Sequence, residues 1–280
     1  MLRIVTDGAA DLPMEWQSEY GIDILPINIQ FGEKTYLQGV DLDNESFYKL
    51  VEETKKIPKT SQPSPHQFGE FYKKIAQPGD TILSIHVTSK LSGTYASAVT
   101  AGRELEGIYH VIPFDSATGS MAIGFMCRAA RLQDRAGKSL EQIIKHLEEM
   151  RATGQLVLAL DTLSYARMSG RVGTMQAALA SVLNVKPIAV LQDGLLNMTE
   201  KVRTRKASLE RLIAMVKERM GNRPVLMAIL HARDPQAGQE MIEQARAQFN
   251  IRELYLVDLS ISLAANFGPG TVGIVVFPVE

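Results

Sequence analysis

Short β-branched runs alternate with longer helical patterns through the first half of this 280-residue chain. LRIVT (2–6), TILSIHV (81–87) and HVIPFD (110–115) read as strands. A helix-period segment comes after each: one that Pro13 opens, then YASAVTAGREL (95–105), then SMAIGFMCRAARLQDRAG (120–137), whose Gly137 suits a left-handed cap. Such alternation predicts parallel strands covered by helices. Ile22 to Val40 breaks the rhythm and predicts two strands around the FGEK turn (31–34). The charged helix pattern SLEQIIKHLEEMRA stops at RATGQ (151–155), which marks a domain boundary. Beyond it, strand patterns occupy 156–160, 186–192, 195–203, 224–230, 253–259 and 271–277, with helix patterns over 204–220 and 235–249. The expectation is an α/β protein of two domains with a ligand cleft between them. Residues 1–155 form a parallel sheet covered by helices, and 156–280 a mixed sheet with helices.

Charge narrows the function classes. Thirty Lys+Arg against 31 Asp+Glu leave a net charge of −1, so charge-driven binding to nucleic acid or a membrane surface is not expected of the whole chain. The single cysteine, Cys127, closes no intramolecular disulfide, and the start MLRIVTDG lacks a signal-peptide layout; a cytoplasmic location is expected. The longest apolar stretch, Val272 to Val279, is broken by Gly and Pro and reads as a strand, so no stable membrane anchoring is expected.

Chemistry gathers in the loop after each early strand: Thr6-Asp7-Gly8-Ala9-Ala10-Asp11, Thr88-Ser89-Lys90-Leu91-Ser92-Gly93-Thr94 and Asp115-Ser116-Ala117-Thr118-Gly119-Ser120. In an open parallel sheet such loops collect at the carboxyl ends of the strands, where ligands bind. Hydroxyl residues beside glycine at a helix start offer an anion both O–H and N–H donors, and Ser92-Gly93-Thr94 is the best such seat. Asp11, Ser92 and Ser120 also read as plain helix caps. Lys59-Thr60-Ser61-Gln62-Pro63-Ser64-Pro65 presents hydroxyls on a loop stiffened by two prolines. Basic residues gather at Arg167, Arg171, Lys201, Arg203, Arg205 and Lys206, and Lys201, Arg203 and Arg205 share a face if the strand extends that far. A solvated edge and a phosphate-binding patch fit that pattern equally. The usual catalytic motifs are absent, Cys127 sits in an apolar helix pattern, and the five histidines have no ligand spacing. Asp7, Asp11 and Asp115 offer only a weak metal site. No catalytic residue, metal or cofactor is therefore assigned.

The motifs IVTDGAADLP (4–13), KTSQPSP (59–65), VTSKLSGTYASA (87–98), FDSATGSM (114–121), LSYARMSGRVG (163–173), LNVKPI (183–188), KVRTRKA (201–207) and GPGTVG (268–273) run essentially end to end. Through them the chain resembles the DegV family of fatty-acid-binding proteins, which includes the FakB subunits of bacterial fatty acid kinase. The resemblance implies two α/β domains and one bound long-chain fatty acid as ligand, its acyl chain enclosed and its carboxylate at the domain cleft. Carboxylate contacts are implied for Thr60 or Ser61, for Ser92 with Gly93 and Thr94, and for Arg171. Arg203, with Arg205 beside it, is implied as a contact to a partner or phosphate. The implied partner is a separate kinase that forms the acyl phosphate. The different-class alternative is a stand-alone hydrolase or transferase acting on a small acyl or phosphoryl substrate. Where many members have histidine before GPG, close to the carboxylate, this chain has Asn266, and the resemblance implies a carboxylate contact there from an amide that donates a hydrogen bond but does not titrate. Gly8 stands where a serine is common, so no head-group role falls there.

Overall fold

A computed structural model describes residues 1–171 and 185–279. Motif residues 172–173 and 183–184 lie outside the described residues. Internal contacts divide the chain into two units, Met1–Ala152 and Thr153–Glu280.

In the first unit the order is β1 (Leu2–Asp7), α1 (Met14–Tyr20), β2 (Ile22–Leu25), β3 (Asn28–Phe31), β4 (Lys34–Leu37), α2 (Asn44–Thr54), β5 (Lys59–Ser61), α3 (Pro65–Ile75), β6 (Thr81–His86), α4 (Thr94–Glu104), β7 (His110–Asp115), α5 (Met121–Arg135) and α6 (Leu140–Thr153). The main sheet is parallel with order β2-β1-β6-β7, as the alternating pattern predicts. From β1 the chain builds outward to β2 on one side and to β6 and β7 on the other. The reversal between β1 and β6 makes that pair the switch point of the sheet, where loops diverge and leave a crevice.

Period-two alternation sends side chains of β1 and β6 to two faces. Val5 and Ile82 face a cluster with Phe68 and Tyr72 of α3 and Ala98 and Ala101 of α4. On the other side α5 packs on β1 and β6. Its residues Met121–Arg128 are all buried, so the Met-rich stripe there is core. Cys127 lies in it, and burial pushes its thiol up to about 12, too high for a reactive thiolate near neutral pH.

The segment Ile22–Val40 holds three strands instead of two. β2 joins the main sheet, while β3 and β4 form the hairpin around FGEK and belong to a separate antiparallel sheet of order β4-β3-β5. The third strand of that sheet, β5, comes from KTSQPSP. Three residues are too few to show a strand period, and the extended backbone that Pro63 requires before it suits pairing with β3.

The second unit contains β8 (Gln155–Ala159), α7 (Ser164–Ser169), β9 (Lys186–Gln192), β10 (Leu195–Val202), α8 (Arg205–Met220), β11 (Pro224–His231), α9 (Pro235–Gln248), β12 (Asn250–Asp258), α10 (Ile261–Phe267) and β13 (Val272–Pro278). Its mixed sheet has order β10-β9-β8-β13-β11-β12, antiparallel except for β11 with β12. Val157, Met227, Ile274 and Val276 form a core with Leu212 and Val216 of α8 and Met241 and Ala245 of α9. The two-domain α/β expectation, parallel first and mixed second, holds. Among the described residues no helix is long and apolar enough to cross a membrane.

Candidate functional site

The loops after β1, β6 and β7 are stitched to one another in the first unit. Val87 N–H donates to Asp7 Oδ2 at 3.1 Å and joins the first loop to the second. Ser89 N–H donates to Asp115 Oδ1 at 3.1 Å, and Thr88 N–H to the Thr118 carbonyl at 2.9 Å, joining the second to the third. Ser120 Oγ donates to Asp11 Oδ2 at 2.5 Å and joins the third to the first. The carboxylates that offered a weak metal site are thus engaged in loop geometry, and no metal-holding cluster of His, Cys, Asp or Glu occurs among the described residues.

Ser92, Gly93 and Thr94 sit at the start of α4, with Gly93 in the N-cap position and no cap bond from a side chain. Ser92 Oγ lies 2.8 Å from Thr94 Oγ1 and accepts from Thr94 N–H at 3.3 Å. Ser92 is therefore the centre of a small hydroxyl pair and not an N-cap residue. The first turn of α4 carries no acidic side chain, so the positive end of its dipole is uncompensated. That arrangement can take a carboxylate or phosphate through O–H and N–H donors.

KTSQPSP lies against this seat. The Gln62 amide nitrogen is 2.7 Å from where a Cβ on Gly93 would stand, so the lack of a side chain at 93 lets the two loops close on each other. In β5, Thr60 pairs with Ile29 and is half-buried, whereas Ser61 pairs with Asn28 and is exposed. Successive strand residues face opposite sides, so of the two expected hydroxyls Thr60 is the one on the inner face. Ser64 caps α3 in a reciprocal box with Gln67. On the other side of the switch point, Gln38 Nε2 donates to the Gly8 carbonyl at 2.6 Å and would lie 2.9 Å from a Cβ at residue 8. The room for a side chain at 8 is taken by that glutamine.

Ser120 occupies the cap position of α5 with φ 58° and ψ −151°, and makes no cap bond. This corner of backbone space belongs to glycine and costs other residues about 1–3 kcal/mol. The bond to Asp11 offsets that strain. Ser120→Ala keeps the strain and loses the bond, so it is expected to lower stability by about 2 kcal/mol, while Ser120→Gly loses both and stays within about 1 kcal/mol of the parent. Urea unfolding of the two variants checks the order; an alanine variant more stable than the glycine variant would refute the strain.

Within the second unit, Gly170 ends α7 at φ 70° and Arg171 folds back, its Nη1 donating to the Ser169 carbonyl at 2.5 Å. Asn266 on α10 is half-buried, and its Nδ2 donates to the Ser262 carbonyl one turn earlier at 2.6 Å. One of its two amide protons is therefore held by its own helix. The shared strand face expected of Lys201, Arg203 and Arg205 does not form, because β10 stops at Val202. Thr204 then caps α8 by accepting from Ala207 N–H at 3.1 Å, which makes Arg205 the first helical residue. Arg205 Nη2 meets Asp234 Oδ2 at 2.6 Å, whereas Arg203 is exposed.

One polar group escapes sequence reasoning. Asp7 and His86 end β1 and β6 at the switch point, fully buried, with His86 Nδ1 2.9 Å from Asp7 Oδ2. Ser84 Oγ is 2.6 Å from His86 Nε2, and Tyr72 OH is 2.8 Å from Ser84 Oγ. Burial raises the Tyr72 phenol, and the Ser84 hydroxyl offsets part of that rise. The available signal is Ser84 and His86 two apart in an apolar strand, hence on one face with Ile82.

A family model described as an uncharacterised protein of the DegV family matches residues 1–279. Protein DegV of Bacillus subtilis is 33% identical over 275 residues, covering 98% of each chain. A DegV domain-containing protein of Streptomyces coelicolor is 32% identical over 277 residues, again covering 98% of each. Among solved structures, one describing fatty acid binding by a DegV family protein from Thermus thermophilus superposes at TM-score 0.92 with 27% identity, covering 99% of both chains. DegV from Bacillus subtilis, described as a fatty acid binding protein, superposes at TM-score 0.87 with 30% identity over 99% of both chains. With the parallel sheet, its switch point and the hydroxyl-lined loops in place, these matches run the length of the chain, and the chain belongs to the DegV family.

Proposed function

We propose that the protein binds one long-chain fatty acid, with its carboxylate held by Thr60, Ser92 and the donors at Gly93 and Thr94. The observation that carries this reading is the paired hydroxyl seat at the start of α4, closed on by the Gln62 loop at a sheet switch point. Relatives of the same fold described as fatty-acid binders support it. Arg171 and Asn266 enter as further carboxylate contacts on the strength of the family resemblance, while Ser61, exposed on the other face of β5, is left out. Burying ~15 methylenes at ~0.8 kcal/mol each supplies a gross ~12 kcal/mol before association costs, so the tail provides affinity and the polar seat fixes orientation. The protein acts in the cytoplasm as a non-catalytic carrier and presents the carboxyl to a separate ATP-dependent kinase. Arg203, exposed two residues before the paired Arg205, meets that partner or its phosphate.

The test begins with mass spectrometry of lipid extracted from purified protein, where one fatty acid per chain is expected. A lipid-free protein that hydrolyses an acyl or phosphoryl ester by itself would establish the rival enzyme reading. With a fatty acid kinase added, Arg203→Glu should slow acyl phosphate formation several-fold at unchanged lipid content, since exposed charges act on encounter. Loss of lipid in that variant would move Arg203 from the partner surface to the ligand.

A further inference from the structure

The four residues of the chain from Tyr72 to Asp7 are 0% exposed and spend their polar atoms on one another and on loop backbone, not on the hydroxyl seat. Its hydrogen bonds nevertheless have one direction. If His86 donates from Nδ1 to Asp7, its Nε2 is left to accept the Ser84 O–H, and Ser84 Oγ accepts the Tyr72 O–H. The reverse order leaves the Tyr72 proton with no acceptor in a dry core, where an unmade bond is costly. The chain therefore terminates on the Asp7 carboxylate with every donor used.

Asp7 accepts more than the imidazole. Its Oδ1 takes Ala9 N–H at 2.9 Å and its Oδ2 takes Val87 N–H at 3.1 Å. One carboxylate thus pins the first residues of both loops that leave the switch point. The second loop continues through Thr88, whose carbonyl accepts from Leu91 and Ser92 N–H, to the hydroxyl seat. Tyr72 lies on α3, which begins directly after the loop that carries Gln62.

We propose that Asp7 and His86 are positioning residues for ligand binding: Asp7 holds the loops after β1 and β6 in register, and His86, oriented through Ser84, fixes Asp7. This rests on the fatty-acid reading for its functional consequence, and on the hydrogen-bond geometry alone for its structural one. Asp7→Asn sets an amide donor against one of the three donors that Asp7 now accepts. His86→Phe keeps the ring against Phe68, whose centroid lies 5.1 Å away, but removes both nitrogens. Tyr72→Phe removes only the far end of the chain, where stability suffers and the loops do not.

The experiment compares these three variants with the parent by calorimetric titration of delipidated protein with oleate, amide hydrogen exchange and thermal unfolding. Asp7→Asn is expected to weaken oleate binding by about ten-fold or more and to speed exchange at Ala9 or Val87. His86→Phe shifts both in the same direction by less. Tyr72→Phe lowers the unfolding temperature yet leaves affinity within about two-fold. Nitrogen-15 shifts of His86 should report the Nδ1–H form in the parent and its loss in Asp7→Asn. Affinity that falls in step with unfolding temperature across all three variants, or Asp7→Asn binding as the parent does, would overturn the proposal. A parent that binds no oleate refutes the fatty-acid reading instead, and unchanged exchange at Ala9 and Val87 in Asp7→Asn still refutes the positioning role.

Discussion

Removing both inner hydroxyls, in Thr60→Ala/Ser92→Ala, is expected to weaken fatty-acid binding by about 2–4 kcal/mol, roughly two orders of magnitude. The size reflects the charge of the ligand, since each hydroxyl bond to a carboxylate is worth more than one between neutral groups. On the proposed reading both hydroxyls meet one carboxylate, so the double variant is the informative one and the singles need not sum. Ser61→Ala is the internal control: Ser61 is exposed and the pleat of β5 turns it away from the Thr60 face, so its loss should change affinity by less than about 0.5 kcal/mol. Calorimetric titration of delipidated protein with palmitate measures each variant. A double variant that retains parental affinity would show that the Ser92–Thr94 pair serves only its turn, and a large effect of Ser61→Ala would reverse the assignment of faces.

Gly268→Ala should cost the second unit about 3 kcal/mol. Gly268 ends α10 with φ 85° and ψ 164°, a conformation that belongs to glycine and costs other residues about 1–3 kcal/mol. A Cβ there would also lie 2.6 Å from Cδ2 of the Tyr165 ring, and crowding of that kind costs a further ~1–3 kcal/mol. Thermal unfolding followed by circular dichroism should show the affected transition lowered by about 10 °C. Adding Tyr165→Ala to this variant relieves the collision and leaves the backbone cost, so part of the loss should return. A single variant that melts within about 2 °C of the parent would contradict the geometry of the turn.

The main sheet is legible in the sequence because its central strands β1 and β6 are mostly buried and its strands read as short apolar runs between helix periods, a pattern with few other solutions. The capping box at Ser64 and Gln67 is legible for a related reason, as a local rule with local partners. The features that escape depend on groups distant in sequence. β5 is a strand because β3 accepts it, and Asp7 with His86 are separated by 79 residues. Alternation extended across Thr204 puts Arg205 on a strand face, but the Thr204 side chain starts a helix there. In the site itself, the hydroxyl loops announce themselves by composition, whereas which of Thr60 and Ser61 faces inward requires the register with Ile29 and Asn28.

Trp16 is the only tryptophan in the chain. It lies in α1, 4% exposed, with Phe125 at 6.0 Å, Tyr20 edge-on at 5.5 Å and the Arg128 guanidinium 4.5 Å from its ring centre. Every one of those neighbours belongs to the first unit. The protein therefore carries a built-in optical label for one half of itself: indole emission comes solely from the unit that holds Ser92 and Asp7, while the second unit contributes tyrosine alone. Excitation at the red edge of the absorption band selects the first unit without any added dye. Unfolding curves recorded by emission and by peptide-bond absorbance separate wherever the two units lose structure at different denaturant concentrations.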